Sequence, residues 1–399
     1  MKRLRTYCVH WFLDVKDGWN RFWFQPADPT TLGLMRLLVG GMLLYSHLVW
    51  GLELELLLGP DGWHSADAVR SLQQDQYAWS FWWLVPAGAM TLVHWICFAL
   101  LVFFFLGLYT PITSLCAFAI SASYMYRAPM ANYGMDQFLS CLVFYLALCP
   151  CGKTWSLDWL VARYQAAARA LRKGETPAPF HTAPSVRANL FQRLIQVQLC
   201  IVYFFAGTAK LQGTSWWTGM AMWQAFSNLE YQSFDMTWLA FYPIVINLIT
   251  HATIVWELAF PFLIWNRHAR PLILLVGVLM HLGIGALMGM WTFGLIMIFG
   301  YLAFCPGESL RRLLSRCSFP LVSRRQIVYQ PNDPISIRQA AWYCAWDFHQ
   351  TIQFVPSDRP DRQTQTAPIP PRPANANARP GMSLADMEVG GLVKPSATS

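Results

Sequence analysis

The sequence predicts an all-α membrane protein, a bundle of about eight transmembrane helices. Of its 399 residues, 55% are hydrophobic and only 13% are charged, about half the charged share of a typical soluble domain. Apolar runs of bilayer-crossing length also recur along the chain. The net charge of +8 does not indicate nucleic-acid binding, because the basic residues flank apolar runs and do not line one amphipathic face.

Eight apolar runs are the predicted spans, and the third, fourth and eighth are short for a bilayer. They lie at about 31–50, 91–109, 111–126, 136–149, 191–211, 244–265, 271–290 and 292–305.

The Lys and Arg residues between these runs predict the orientation, because basic residues accumulate on the cytoplasmic side. Residues 1–24 carry five of them and residues 150–190 carry six, whereas 51–90 has only Arg70 and 212–243 has none. We therefore expect a multi-pass protein of the cell membrane with both termini cytoplasmic.

The segments predicted to be external are rich in tryptophan. Such rings form belts at membrane interfaces, and they also form walls for flat apolar ligands, so both interpretations stay open. The residues are Trp63, Trp79, Trp82, Trp83, Trp216, Trp217, Trp223 and Trp238.

Composition divides the chain into four parts. Residues 1–24 are a cytoplasmic N-terminal segment, 25–310 form the transmembrane domain, and 311–356 are a basic cytoplasmic segment. Residues 357–399 are rich in Pro, Ala and Asn, which cannot bury a core, so they are predicted to be disordered.

Lys210 is the most informative polar residue, since it ends the apolar stretch "VYFFAGTAK". The small residues Ala206, Gly207 and Ala209 let another helix approach this turn. Packing against protein desolvates a lysine and favours its neutral amine, which is how lysine serves as a general base. The alternative is that its ammonium extends to the membrane interface.

Three other polar residues lie within apolar runs: Arg36, Glu257 and His281. Intramembrane ionisable groups usually pair, and Arg36 and Arg267 are candidate partners for Glu257. A lone His281 is more often a satisfied core histidine than a ligand. The C-x-C at 149–151 is a weak signal, and the sequence predicts no metal site.

Six stretches resemble, in this order, the HTTM domain, the membrane domain shared by bacterial proteins and vitamin K-dependent gamma-glutamyl carboxylase. The resemblance covers about 25 to 310, and the lysine block is its most specific part. The stretches are "LGLMRLLVGGMLL", "ANYGMDQFL", "LALCPCGKTWSLD", "VYFFAGTAKLQGTSWWTGMAM", "ELAFPFLIW" and "LMHLGIGALMGMWTFGLIMI".

The resemblance implies roles for individual residues. Lys210 occupies the position of the base that deprotonates vitamin K hydroquinone, whose reaction with oxygen drives carboxylation of glutamate. Asn132 matches the family's asparagine, but Tyr133 stands where the carboxylase has a catalytic histidine. That departure removes a group that titrates near neutral pH.

The predicted topology places these groups around one externally open cavity. We expect Lys210, Asn132, Tyr133 and His281 to border it, with the rings of Trp216 and Trp217 capping it and stacking on a reduced quinone.

Two functions from different classes follow. The first is a carboxylase-like enzyme that uses a reduced quinone and modifies a secreted peptide or a small acid at the external face. The second is a non-catalytic membrane component that binds or matures a secreted partner. Membrane lipid is a partner in both.

Residues 324–355 resemble the start of the DCC thiol-disulfide domain, with a strand, a turn, a helix and a strand in that order. Asp333 and Ser336 stand where that domain has its CxxC cysteines. We expect no redox role, because the chemistry requires a thiolate pair.

Overall fold

The computed structural model describes residues 2–74, 77–178, 180, 182–317, 325–348, 352–357 and 365–368. Most of these residues are helical. The first helices are α1 (Lys2–Phe24), α2 (Thr30–Leu52), α3 (Leu54–Leu58), α4 (Ala66–Leu72), α5 (Met90–Leu106), α6 (Thr110–Arg127), α7 (Gly134–Leu148) and α8 (Leu157–Arg172). They are followed by α9 (Val186–Lys210), α10 (Thr214–Trp217), α11 (Ala221–Phe226), α12 (Pro243–Leu263), α13 (Arg270–Met288), α14 (Trp291–Tyr301), α15 (Gly307–Cys317) and α16 (Pro334–Trp346).

Each of the eight predicted runs lies on a helix, and five helices are long and apolar enough to cross a membrane. These five are α2, α5 with the turn before it, α9, α12 and α13. A sixth candidate is a broken span made of two helical segments, Trp291–Phe304 and Gly307–Leu313. The helix axis changes direction by 109° between them. The chain is therefore a helical membrane protein, and the total of eight crossings stays a prediction.

The core of the bundle lies between α2 and its neighbours α5, α7 and α14. Leu32, Met35 and Val39 of α2 are completely buried against them. Gly40 lets α2 come close to α5, because a Cβ there would lie 3.1 Å from the Cα of Phe105. Small residues at helix contacts are the usual means of packing in membranes, where apolar surface alone gives little drive for association.

The connections between helices meet at two opposite ends of the bundle. At the first, which we call the basic end, Ala27 bridges Ser185, and Asp158 accepts hydrogen bonds from the backbone of Tyr109 and Thr110. It comprises residues 25–30, 107–110, 149–178, 180, 182–185 and 302–310. Segments that the Lys and Arg counts assign to one side of the membrane therefore contact one another.

The opposite end, which we call the aromatic end, comprises residues 53–74, 77–89, 128–133, 211–242 and 289–290. Here Arg127 donates to the carbonyl oxygens of Leu58 and His64, and the hydroxyl groups of Tyr133 and Thr292 lie 2.6 Å apart. The tryptophan-rich loops thus lie together at the end away from most of the basic connections.

A small α/β unit follows the bundle. The strands β1 (Arg325–Tyr329), β2 (Ile352–Pro356) and β3 (Gln365–Pro368) form a sheet in the order β2-β1-β3, with β1 parallel to β2 and antiparallel to β3. α16 packs on α8 at the basic end through Ala167, Leu171 and Ala340.

The predicted strand, turn, helix and strand order is present in β1, α16 and β2, whereas the relation to the DCC domain stays a prediction. Asp333 caps α16 by accepting from the backbone of Ile335 and Ser336. The Ser336 hydroxyl accepts from the backbone of Gln330 at 3.0 Å. Asp333 and Ser336, which stand where the DCC domain has its cysteines, therefore stabilise the turn and the start of α16.

The tail differs from its prediction at one place. Residues 365–368, predicted to be disordered, pair with β1 as strand β3. Backbone hydrogen bonds to β1 order these four residues, and composition alone does not predict such pairing. The other tail residues, 358–364 and 369–399, lie outside the described residues.

Candidate active site

A cavity of about 450 Å³ lies between α9, α11, α12, α13 and α14, within the size range of small-molecule sites. Methionine, aromatic and aliphatic side chains form most of its wall. The charged and polar side chains that line it are Lys210, Glu257, His281, Tyr203 and Thr253.

Lys210 and Glu257 form an ion pair at this cavity, with 2.9 Å between Nζ and Oε2. Their side chains are 23% and 8% exposed. Gly207, one turn before the lysine, lets α12 approach, since a Cβ there would lie 2.8 Å from Leu258 Cδ2. The small residues of the lysine block thus bring the two charges together, as the sequence suggested for a helix contact.

The proposed partners of Glu257, Arg36 and Arg267, are wrong. Arg36 lies near the basic end, completely buried, and donates to the carbonyl oxygens of Phe104 at 2.7 Å and of Phe105. Those carbonyls lie in the last turn of α5, where no later helical residue donates to them, and the Phe104 oxygen also accepts from the Gly107 backbone at 3.1 Å. Arg267 is exposed in the turn after α12. Glu257 pairs with Lys210 instead.

Of the two tryptophans expected to cap the cavity, only Trp216 lines it. Its ring centroid lies 5.2 Å from Lys210 Nζ, within the range of a cation–π interaction. Trp217 is 64% exposed, and its indole donates to the Leu211 carbonyl at 2.7 Å. Consecutive helical residues point about 100° apart, so one helix turn presents only one of the two rings.

His281 is buried and belongs to the cavity wall. Its Nε2 lies 2.8 Å from the Tyr203 hydroxyl, which in turn contacts the Tyr301 hydroxyl. Its Nδ1 has no hydrogen-bond partner within the described part of the chain. The histidine is thus fixed in the wall through Nε2 by the two tyrosines.

Asn132 and Tyr133 do not line this cavity. The Asn132 amide donates to the Met125 carbonyl at 2.6 Å, and Tyr133 contacts Thr292 at the start of α14. Phe293, the next residue, does line the cavity. Asn132 and Tyr133 therefore lie outside the cavity, with Tyr133 beside the helix start that forms part of its wall. This contradicts the expectation that both residues border the cavity.

The sequence analysis missed Tyr203 and Tyr301. Tyr203 precedes Lys210 by seven residues, a spacing that places both on one face of a helix. That spacing is a signal that could have identified it. Tyr301 reaches Tyr203 from another helix, so the sequence carries no comparable signal for it.

A second buried polar cluster was also missed, between α2, α5 and α6. The His94 Nδ1 lies 2.6 Å from the Tyr124 hydroxyl, and His47 Nδ1 lies 3.0 Å from the Leu43 carbonyl. The rings of His47 and Tyr124 are in edge contact, 4.5 Å apart. Each histidine sits alone in an apolar run, which was the available signal.

No group of three or more His, Cys, Asp or Glu side chains able to hold a metal ion occurs among the described residues. Cys149 and Cys151 are both buried, and both thiols donate to the Leu146 carbonyl at the end of α7.

The apolar helices, and the largely apolar cavity with its few polar groups between them, define an integral membrane protein with a candidate small-molecule site. The family model of the HTTM domain matches residues 24–308, the greater part of the chain. The protein belongs to the HTTM domain family. No curated protein and no solved structure matches the chain.

Proposed function

We propose that this protein is a membrane enzyme in which Lys210 and Glu257 accept a proton from a hydroxyl of a reduced-quinone-like ligand. The observation that carries the proposal is an ionisable pair in the wall of an apolar cavity of about 450 Å³. The ammonium of Lys210 and the carboxylate of Glu257 both lie where a molecule bound in the cavity can contact them.

The residues of the cavity fit such a ligand. Trp216 and Phe293 offer ring faces, and the methionines adapt to an apolar chain. His281, held by Tyr203, adds a polar group to this wall. A reduced quinone supplies an acidic ring hydroxyl and reactivity with oxygen when bound.

Proton transfer within the pair makes the base. A bound ligand excludes water, so the two opposite charges lose their hydration free energy. The proton of the Lys210 ammonium therefore moves to the Glu257 carboxylate, which leaves both groups neutral. The neutral amine then accepts the ligand's hydroxyl proton.

The further step is modification of a secreted peptide or a small acid at the external face, by analogy with the carboxylase. Tyr133 stands in place of the family's catalytic histidine and contacts Thr292, so this step must use another proton carrier. His281 and its tyrosine partners are the nearest such groups at the cavity.

The proposed topology has eight crossings of the cell membrane, with both termini in the cytoplasm. It is supported by the separation of the basic end from the aromatic end. Cysteine-accessibility labelling of single cysteines placed at 160–178 tests it, and labelling by an impermeant reagent from outside the cell would overturn it.

A non-catalytic binding component is the alternative function. The observation that favours it is that Glu257 and the Trp216 ring both stabilise a charged Lys210. A permanent ammonium can hold a carbonyl or a carboxylate of a partner without any proton transfer.

The decisive experiment supplies the detergent-purified full chain with reduced quinone, oxygen and labelled bicarbonate. Quinone epoxide formation that depends on Lys210 supports the enzyme, even without a peptide substrate. Saturable quinone binding with no turnover in any of these conditions would reject the enzyme and support the binding component.

A further inference from the structure

A second and larger cavity, of about 760 Å³, lies at the basic end of the bundle. It opens between the neighbouring ends of α6 and α7, the first turns of α8, and residues 182–187. We call it the basic-end cavity. Its apolar wall comes from Pro111, Leu115, Ala147 and Leu148, which continue the surface of two apolar helices.

The rim of the basic-end cavity carries two cations, Lys153 and Arg187. Arg187 is held in place because its Nε donates to the Leu148 carbonyl at 2.7 Å. Lys153 is exposed at the other side of the opening. Their charges face a space whose opposite wall is apolar, an arrangement that suits a molecule with an anionic head and an apolar tail.

Asp158 is the one acid in the wall of the basic-end cavity. Its carboxylate accepts from the backbone of Tyr109 and Thr110 and from the Thr110 hydroxyl. The negative charge of the site is therefore taken up by hydrogen bonds within the chain, while Lys153 and Arg187 remain at the rim.

We propose that the basic-end cavity binds an anionic glycerophospholipid of the surrounding membrane. Lys153 and Arg187 hold the phosphate. An acyl chain lies along Pro111, Leu115 and Leu148. Basic pockets between membrane helices on the cytoplasmic side bind anionic headgroups of this kind. Zwitterionic lipids carry no net charge and are not held in this way.

The lipid has a structural consequence for the chain. α8 forms part of the cavity and also carries the α/β unit through its contact with α16. A lipid in this cavity therefore joins that unit to the membrane domain. This inference does not depend on the chemistry proposed for Lys210.

Native mass spectrometry of the delipidated full chain tests the site, with dioleoyl phosphatidylglycerol and dioleoyl phosphatidylcholine as probes. Each basic side chain near an anionic surface contributes about 1 kcal/mol, or about fivefold in affinity. We expect at least about a tenfold preference for phosphatidylglycerol. Lys153→Gln with Arg187→Gln should remove that preference, and Lys153→Gln alone should lower it about fivefold.

Arg172→Gln with Lys173→Gln is the matched control, because both cations are exposed at the far end of α8. This double variant should retain the preference. Ala183→Trp should weaken binding of both lipids by filling the cavity while leaving the cations in place. Equal binding of the two lipids, or an unchanged preference in the Lys153→Gln protein, would overturn the proposal.

Inorganic phosphate distinguishes a lipid site from a soluble phosphate site. Phosphatidylglycerol should raise the melting temperature of the wild-type protein in detergent, and phosphate alone should not. If phosphate alone raises it as much, and the Lys153→Gln change abolishes that effect, the occupant is a soluble phosphate compound and the lipid assignment is wrong.

Discussion

Arg36 and Lys210 are both cations within the helix bundle, yet their surroundings differ in kind. Arg36 is completely buried and donates to carbonyl oxygens that end α5 and follow α7. Lys210 remains partly exposed at a cavity and faces a carboxylate. Carbonyl oxygens cannot accept a proton at ordinary pH, whereas a carboxylate can. The first arrangement fixes structure, and the second is able to exchange protons.

Arg127 extends the comparison to the aromatic end. It is buried as well and donates to the carbonyl oxygens of Leu58 and His64. Arginine thus satisfies loop carbonyls at both ends of the bundle, for which its five fixed donors are suited. Lys210, by contrast, faces the Glu257 carboxylate. This difference in side-chain chemistry leads to four predictions.

The largest effect should come from Lys210. Lys210→Ala and Lys210→Arg should both lower quinol turnover by about 10²–10⁴, the usual contribution of a general base, because guanidinium does not give up its proton. Epoxide formation by the purified variants measures this, and melting temperature checks that they are folded. Lys173→Arg, an exposed cation on α8, is the control. A fully active Lys210→Arg protein would favour the binding-only function.

Arg36 should affect stability instead. Arg36→Met should destabilise the protein by at least about 3 kcal/mol, since hydrogen bonds to a charged group contribute about 1.5–3 kcal/mol each and several carbonyls lose their donor. Loss of the monodisperse peak in detergent size-exclusion chromatography measures it. Arg267→Met, in an exposed turn, should leave the peak unchanged. A stable Arg36→Met protein with impaired turnover would show that Arg36 acts in turnover and not in stability, the opposite of what we expect.

Glu257→Gln should have a smaller effect on turnover than loss of the lysine. The amide keeps the shape of the side chain but cannot take the proton of Lys210, so we expect a loss of about 10², the lower end of acid–base contributions. Steady-state kinetics at several pH values measures it. Unchanged turnover at every pH would show that Glu257 only positions the lysine.

The smallest effect separates the two tryptophans of α10. Trp216→Ala should weaken binding of a quinone probe about threefold to fivefold, because aromatic and cation–π contacts contribute about 0.5–1.5 kcal/mol. Trp217→Ala should bind the probe normally. Fluorescence quenching by a short-chain quinone measures both. Equal losses in the two variants would indicate that the ligand contacts the outer face of α10.

The contribution of sequence and of structure differs between the site residues. The apolar lysine block and its small residues identified Lys210 and a helix contact, because both are local features of one helix. Glu257 was found as an unusual residue but with the wrong partner. Asn132, Tyr133 and Trp217 were assigned to the cavity and lie outside it, since neither loop path nor helix rotation is encoded in local spacing.

By itself the sequence determined the class of the protein and the helical position of each predicted span. Hydrophobicity is a property of each segment, and a bilayer imposes helical backbone pairing on any apolar segment that crosses it. Only the tertiary structure decided that Lys210 faces Glu257 while Arg36 faces carbonyl groups. Pairing between distant residues depends on which helices are neighbours and how each is rotated, and these are set by the packing of the whole bundle.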